Sequence, residues 1–174
     1  MGKILTSADT NSWQETPIPG NLGATATNLQ AIAGTLFLGN SSSLLFASSD
    51  GLQWSSLSHP IKASIITGSQ GKFLAVGSAS LLTSSDGILW QPISTPFPAA
   101  SVARIISNES RFLVIDNRGA TWVSLDTVTW VPSLPGATPP AADTRVGNEV
   151  VRLGSRLVAG GGLLMTSPDN GESW

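Results

Sequence analysis

A fivefold recurrence of Ser-x-Asp followed by Trp constrains this chain more than any other feature: Ser7/Asp9/Trp13, Ser48/Asp50/Trp54, Ser84/Asp86/Trp90, Ser124/Asp126/Trp130 and Ser167/Asp169/Trp174. The Ser-to-Ser steps are 41, 36, 40 and 43 residues, which suits a four-stranded sheet unit copied along the chain. Upstream text recurs as well. Thr35-Leu-Phe-Leu-Gly-Asn, Lys72-Phe-Leu-Ala-Val-Gly, Arg111-Phe-Leu-Val-Ile-Asp and Arg156-Leu-Val-Ala-Gly-Gly begin 13 to 15 residues before a motif Asp. Whole units therefore repeat, not only turns.

Each period reads as four short strands, for example Ala63 to Thr67, Phe73 to Val76, Ser80 to Ser84 and Trp90 to Ile93, separated by Gly, Ser, Asn or Pro. No segment carries a sustained helical period. The predicted fold is all-β: a propeller, or part of one, built of four-stranded antiparallel blades. A single domain over 1–174 divides into a partial blade 1–20, full blades 21–60, 61–98 and 99–136, and a blade lacking its last strand, 137–174. Composition agrees, because charged residues make up only 11% of the chain, too few to coat exposed helices.

The motif residues suit a tight reversal between third and fourth strands. An Asp accepts backbone N–H bonds in an Asx-turn, Ser bonds across the loop, and Gly51, Gly87 or Gly171 can take positive φ. Asp9 and Asp126 have no such Gly after them. The Trp then opens the fourth strand, where a ring burying roughly 150–250 Å² wedges one blade against the next.

At these residues the chain resembles the Asp-box, or bacterial neuraminidase repeat, family, whose pattern is Ser-x-Asp-x-Gly-x-Thr-Trp. Ser167-Pro-Asp-Asn-Gly-Glu-Ser-Trp174 has the full spacing, while Ser48 to Trp54 and Ser84 to Trp90 are one residue shorter, a form similar to that of bacterial propeller repeats. The resemblance spans the chain and implies structural Asp boxes lying away from the ligand face. It also implies an extracytoplasmic location. Cysteine usage leaves the compartment open, since the chain has none.

Several functional classes fall away. A net charge of −2 with no basic run makes nucleic acid an unexpected partner. No apolar run approaches the roughly 18 residues of a spanning helix, so membrane insertion is not expected. Without cysteine there is no thiolate metal site, and the motif Asp residues sit in separate turns rather than one calcium loop. No cofactor or metal is expected.

Sialidase activity, which the resemblance brings to mind, implies a Tyr nucleophile paired with a Glu. This chain has no tyrosine, and Glu15, Glu109, Glu149 and Glu172 sit in no catalytic pattern. Other glycosidases need two facing carboxylates, for which Asp116 with Asp143 would be an accidental pair. His59, beside Pro60, reads as a connecting-loop residue. Gly160-Gly161-Gly162 reads as a turn, lacking the Lys-Ser/Thr ending of a phosphate loop. No catalytic residue is assigned, and the chain is expected not to be an enzyme.

On the face opposite the Ser-x-Asp turns, one blade departs from its siblings. Where they have Gly39, Gly77 and Gly160, it has Asp116-Asn117-Arg118, with Trp122 on the following strand and Arg104 on the innermost one. The Pro-rich connector Pro132 to Arg145 crosses the same face, carrying Asp143 and Arg145. These seven residues are the candidate ligand contacts, since Arg and Trp often anchor interfaces. Repeat drift with a local Asp116–Arg118 ion pair is the competing explanation. Lys72, Arg111 and Arg156 read as solvated positions inherited through the repeat.

The chain also duplicates one hairpin. Lys3 to Ser7 with Trp13 to Ile18 has no first two strands before it, and the last motif stops at Trp174. A small ring with a split blade, a fragment of a longer propeller, and a partial ring completed by another copy all fit. Exposed strand edges favour the last two, so a homo-oligomer or a piece of a larger propeller is expected. The expected function is a non-enzymatic binding scaffold for a protein or glycan partner. The alternatives are a self-assembling structural unit completed by another copy and, last, a sialidase-like hydrolase.

Overall fold

Short runs of β-branched, aromatic and leucine residues, broken every few positions by Gly, Ser or Asn, give the chain strands and tight turns. The computed structural model describes residues 3–17, 26–62, 65–69, 71–108, 111–133, 149–154, 156–160, 164–169 and 171–174. The first sheet pairs β1 (Lys3–Thr6) with β2 (Gln14–Pro17). The second is a four-stranded antiparallel meander of β3 (Asn28–Ile32), β4 (Thr35–Gly39), β5 (Ser43–Ser48) and β6 (Ser55–Lys62). The third repeats it with β7 (Ile66–Ser69), β8 (Lys72–Val76), β9 (Leu81–Ser84) and β10 (Gln91–Ile93). The fourth does so again with β11 (Val102–Ser107), β12 (Phe112–Asp116), β13 (Thr121–Ser124) and β14 (Val131–Pro132). The fifth has three strands: β15 (Glu149–Leu153), β16 (Arg156–Gly160) and β17 (Met165–Ser167).

The core lies between successive sheets, so the middle strands are apolar on both faces. On β8, Phe73 and Ala75 join Phe37, Leu44 and Ile61 of the second sheet, whereas Leu74 and Val76 join Val102, Phe112 and Val114 of the fourth. Leu113 and Ile115 likewise meet Leu157 and Ala159 of the fifth. This explains why the recurrent upstream text is a continuous hydrophobic run rather than an alternation.

Two local expectations change. The motif tryptophans do not open the fourth strands: Trp13, Trp54, Trp90 and Trp130 each lie one residue before β2, β6, β10 and β14. The indole closes the turn, and the ladder starts after it. His59 lies inside β6, not in a loop. That strand is an outer edge, where Pro60 interrupts no ladder.

Candidate partner-binding groove

The Ser-x-Asp hairpins share one hydrogen-bond pattern. In the second sheet, Ser48 donates to Asp50 Oδ1 at 3.0 Å and accepts the Gly51 N–H at 2.8 Å. The same Oδ1 accepts the N–H groups of Leu52 and Gln53, both at 2.8 Å, and Trp54 Nε1 donates to the Gly51 carbonyl at 3.1 Å. The hairpin at Ser84 reproduces all five bonds. Where glycine is missing, Thr10 and Thr127 take its place at φ 64° and 69°, and Asp9 and Asp126 accept the same backbone donors.

Trp130 departs from Trp13, Trp54 and Trp90. Its indole is 9% exposed and stands edge-on to Phe97, with centroids 5.5 Å apart at 86°, but its buried Nε1 has no hydrogen-bond partner among the described residues. The fourth-sheet indole therefore acts as the expected wedge through packing alone, without the turn bond that Trp54 and Trp90 make. A buried donor left unpaired costs about 1–3 kcal/mol, which the aromatic contacts must offset. Trp174 Nε1 is buried without a partner in the same way.

The Asp bonds favour the ionised carboxylate. The N–H groups of Thr129 and Val128 hold Asp126 at about 2. Burial pushes Asp169 up, but the Ser173 hydroxyl and N–H outweigh it and hold that carboxyl at about 2. The N–H donors of Ser12 and Asn11 lower Asp9, and those of Gln53 and Leu52 lower Asp50. For Asp86 burial again opposes the shift, and the N–H groups of Leu89 and Ile88 carry it downward. Carboxylates held ionised and occupied in this way are poor general acids.

The loop-face residues separate. Asp116 is 7% exposed and its Oδ1 accepts the N–H groups of Arg118 and Ala120, both at 2.8 Å. The expected Asp116–Arg118 ion pair is thus replaced by a carboxylate locking its own turn. Trp122 is half-buried, its ring centroid 4.5 Å from that of Phe97 in the layer between third and fourth sheets. Arg104 is half-buried at a register shift of β11. Asn117 and Arg118 are exposed. Asp143 and Arg145 lie outside the described residues.

A different feature forms a concavity. A groove of about 540 Å³ runs between the fourth-sheet hairpin and the fifth-sheet hairpin, lined by Val123, Leu125, Asp126, Thr129, Val131, Pro132, Arg111 and Glu172 among others. Leu125 and Val131 stand 65% and 56% exposed. At the same positions the second and third hairpins have Ser49 with Ser55 and Ser85 with Gln91. That polar-to-apolar change was the sequence signal for the groove. Arg111 forms an ion pair with Glu172 across the two sheets, a partner the sequence did not assign to it. A second concavity of about 480 Å³ lies between the first two hairpins and includes Asp9, Asp50 and Trp13. Among the described residues no cluster of His, Asp and Glu could hold a metal ion.

No family model and no curated protein matches the sequence. Solved structures do match its shape. The Niastella koreensis GH74 enzyme superposes with TM-score 0.63 at 18% identity, over 99% of this chain and 28% of that one. YCF48 bound to D1 peptide superposes with TM-score 0.62 at 19% identity, over 99% of this chain and 59% of that one. Virginiamycin B lyase from Staphylococcus aureus gives TM-score 0.53 at 14% identity, over 95% and 62% respectively. The chain has a β-propeller fold. It spans well under two thirds of the first two neighbours, and the likeness concerns architecture alone.

Proposed function

We propose that this chain is a propeller scaffold of the Asp-box type that binds a protein partner and performs no chemistry of its own. The observation that carries the reading is the groove between fourth and fifth sheets, where Leu125 and Val131 are exposed beside the Arg111–Glu172 pair. Apolar walls with a charged rim suit an extended peptide: one apolar side chain fills the floor, and flanking charges address the Arg and the Glu. One neighbour of similar shape is described as bound to a peptide, which supports the same class of partner. Asn117 and Arg118, exposed on the opposite loops, are a secondary contact region in this reading.

The test sets an array of synthetic peptides against a glycan array. Peptide capture should fall by about tenfold or more, equivalent to ~1.4 kcal/mol, in Val131→Asp and in Arg111→Glu. Glycan capture untouched by those substitutions would replace the protein partner with a carbohydrate. Turnover of a glycoside would end the scaffold reading.

A further inference from the structure

We infer that this chain associates head to tail with a second copy of itself, the first sheet of one molecule seating on the fifth sheet of the next. The three interfaces from the second sheet to the fifth are built the same way. On the receiving side, a residue of the second strand pairs with the residue just before the motif Ser, as Phe37 with Ala47, Leu74 with Thr83 and Leu113 with Val123. Phe37, Leu74 and Leu113 are at most 2% exposed. On the arriving side, the left-handed residue of the next hairpin lies over that floor. A Cβ at Gly87 would stand 3.1 Å from Phe37, one at Gly171 would stand 2.9 Å from Leu113, and Thr127 places its hydroxyl 2.9 Å from that of Thr83.

The fifth sheet presents the same floor only partly covered, with Val158 half-buried. Val158 pairs with Thr166, Thr166 is exposed, and Val151 and Leu153 beside them are 63% and 72% exposed. The first sheet presents the arriving half uncovered. Leu5 and Trp13 are 54% and 56% exposed, whereas Leu82 and Trp90, at the same repeat positions in the third sheet, are each 2% exposed. The match extends to single residues. The left-handed position is Thr in two hairpins, Thr10 and Thr127. Thr127 meets Thr83, and the floor awaiting Thr10 carries Thr166 at the Thr83 position. Each end thus offers one half of a contact that is buried elsewhere in the same molecule. Joining the head of one copy to the tail of another buries both apolar patches with side chains already complementary.

The chain contains no cysteine, so single cysteines report the contact cleanly. Thr10→Cys and Thr166→Cys chains are prepared separately, mixed and mildly oxidised, with the Thr83→Cys/Thr127→Cys double variant as the geometric control. Both Thr10 and Thr166 are exposed, and near-ultraviolet circular dichroism confirms that the variants fold. The mixture should give a disulfide-linked dimer well above the yield of either variant alone. Sedimentation of the unsubstituted chain should show a mass that rises with concentration to at least double that of one chain, and Trp13→Ser should abolish the rise. Equal linking of Thr10→Cys to itself would overturn the head-to-tail arrangement. So would a single-chain mass at every concentration with no mixed product.

Discussion

The hydroxyls of Thr83 and Thr127 lie 2.9 Å apart across the interface between third and fourth sheets. Thr127 holds a left-handed backbone at φ 69°, where a β-branched residue costs roughly 1–2 kcal/mol. Two local bonds offset part of that cost. Its N–H donates to Ser124 at 2.8 Å and its hydroxyl donates to the Asp126 carbonyl at 2.5 Å, while Thr83, whose own hydroxyl donates to the Phe73 carbonyl, packs against it from the other side. Thr10 makes the same two local bonds in the first hairpin, so a hairpin without glycine keeps the glycine turn through its own bonds, and at Thr127 the neighbouring sheet adds a contact to them.

The first hairpin provides the contrast. Thr10 has the same backbone, φ 64°, but is exposed. Thr10→Gly should stabilise the chain by about 1 kcal/mol by relieving strain. Thr127→Val should destabilise it by about 1–3 kcal/mol, because strain remains and buried hydroxyl bonds are lost. Urea unfolding of both variants, at concentrations low enough to exclude association, checks the pair. A Thr127→Val variant as stable as the unsubstituted chain would show that the buried Thr127 hydroxyl contributes nothing.

Acid should loosen the hairpins in a defined window. Asp126 and Asp169 titrate at about 2 in the folded chain, below the ordinary value of 3.8. The unfolded chain takes up these protons first as pH falls, so their stabilisation is complete above pH 3.8 and is lost toward about pH 2. Thermal midpoints recorded across that range should fall. In Asp126→Asn the decline should be shallower, and an unchanged slope would remove Asp126 from the account.

Two glycines with similar backbones separate strain from packing. Gly71 has φ 73° and nothing within 4 Å of a would-be Cβ, whereas Gly171 has φ 95° and Leu113 at 2.9 Å. Gly71→Ala should cost only the backbone term of about 1–2 kcal/mol. Gly171→Ala should add about 1–3 kcal/mol for displacing the buried Leu113. Chemical denaturation measures both, and equal losses would mean that the fourth and fifth sheets are not in close contact there.

The parts of this structure legible in the sequence are those set by local chemistry. Ser48, Asp50 and Gly51 make a turn from bonds within a few residues, so their pattern showed directly, and the sheet repeat followed from its spacing. What was hidden depends on residues far apart in the chain. The support of Thr127 by Thr83 spans 44 positions, and no local pattern marks Thr as an adequate replacement for Gly. Trp130 has the same Ser-to-Trp spacing as Trp54 and Trp90, yet its unpaired Nε1 distinguishes it from them, a difference that no spacing records. Asp116 looked like a ligand group because it broke the repeat, yet its carboxylate is occupied by two backbone donors. The Arg111–Glu172 pair exists only once two sheets stack, which made Arg111 look like a solvated repeat position.

The tryptophans test whether the wedge between sheets is general or positional. Trp90 is 2% exposed, donates to the Gly87 carbonyl at 2.9 Å, and packs its ring 6.4 Å from Phe37 and 6.3 Å from Phe73. Trp13 makes the corresponding bond to Thr10 at 3.2 Å, yet is 56% exposed because no described sheet precedes the first. Trp90→Ala should therefore cost about 3–5 kcal/mol, the range for a large buried aromatic. Trp13→Ala should stay near 0.5 kcal/mol in dilute solution, about what a surface residue gives. Urea midpoints of the two variants decide the matter: comparable losses would mean that the indole stabilises its own hairpin, and that the contact with the preceding sheet contributes little.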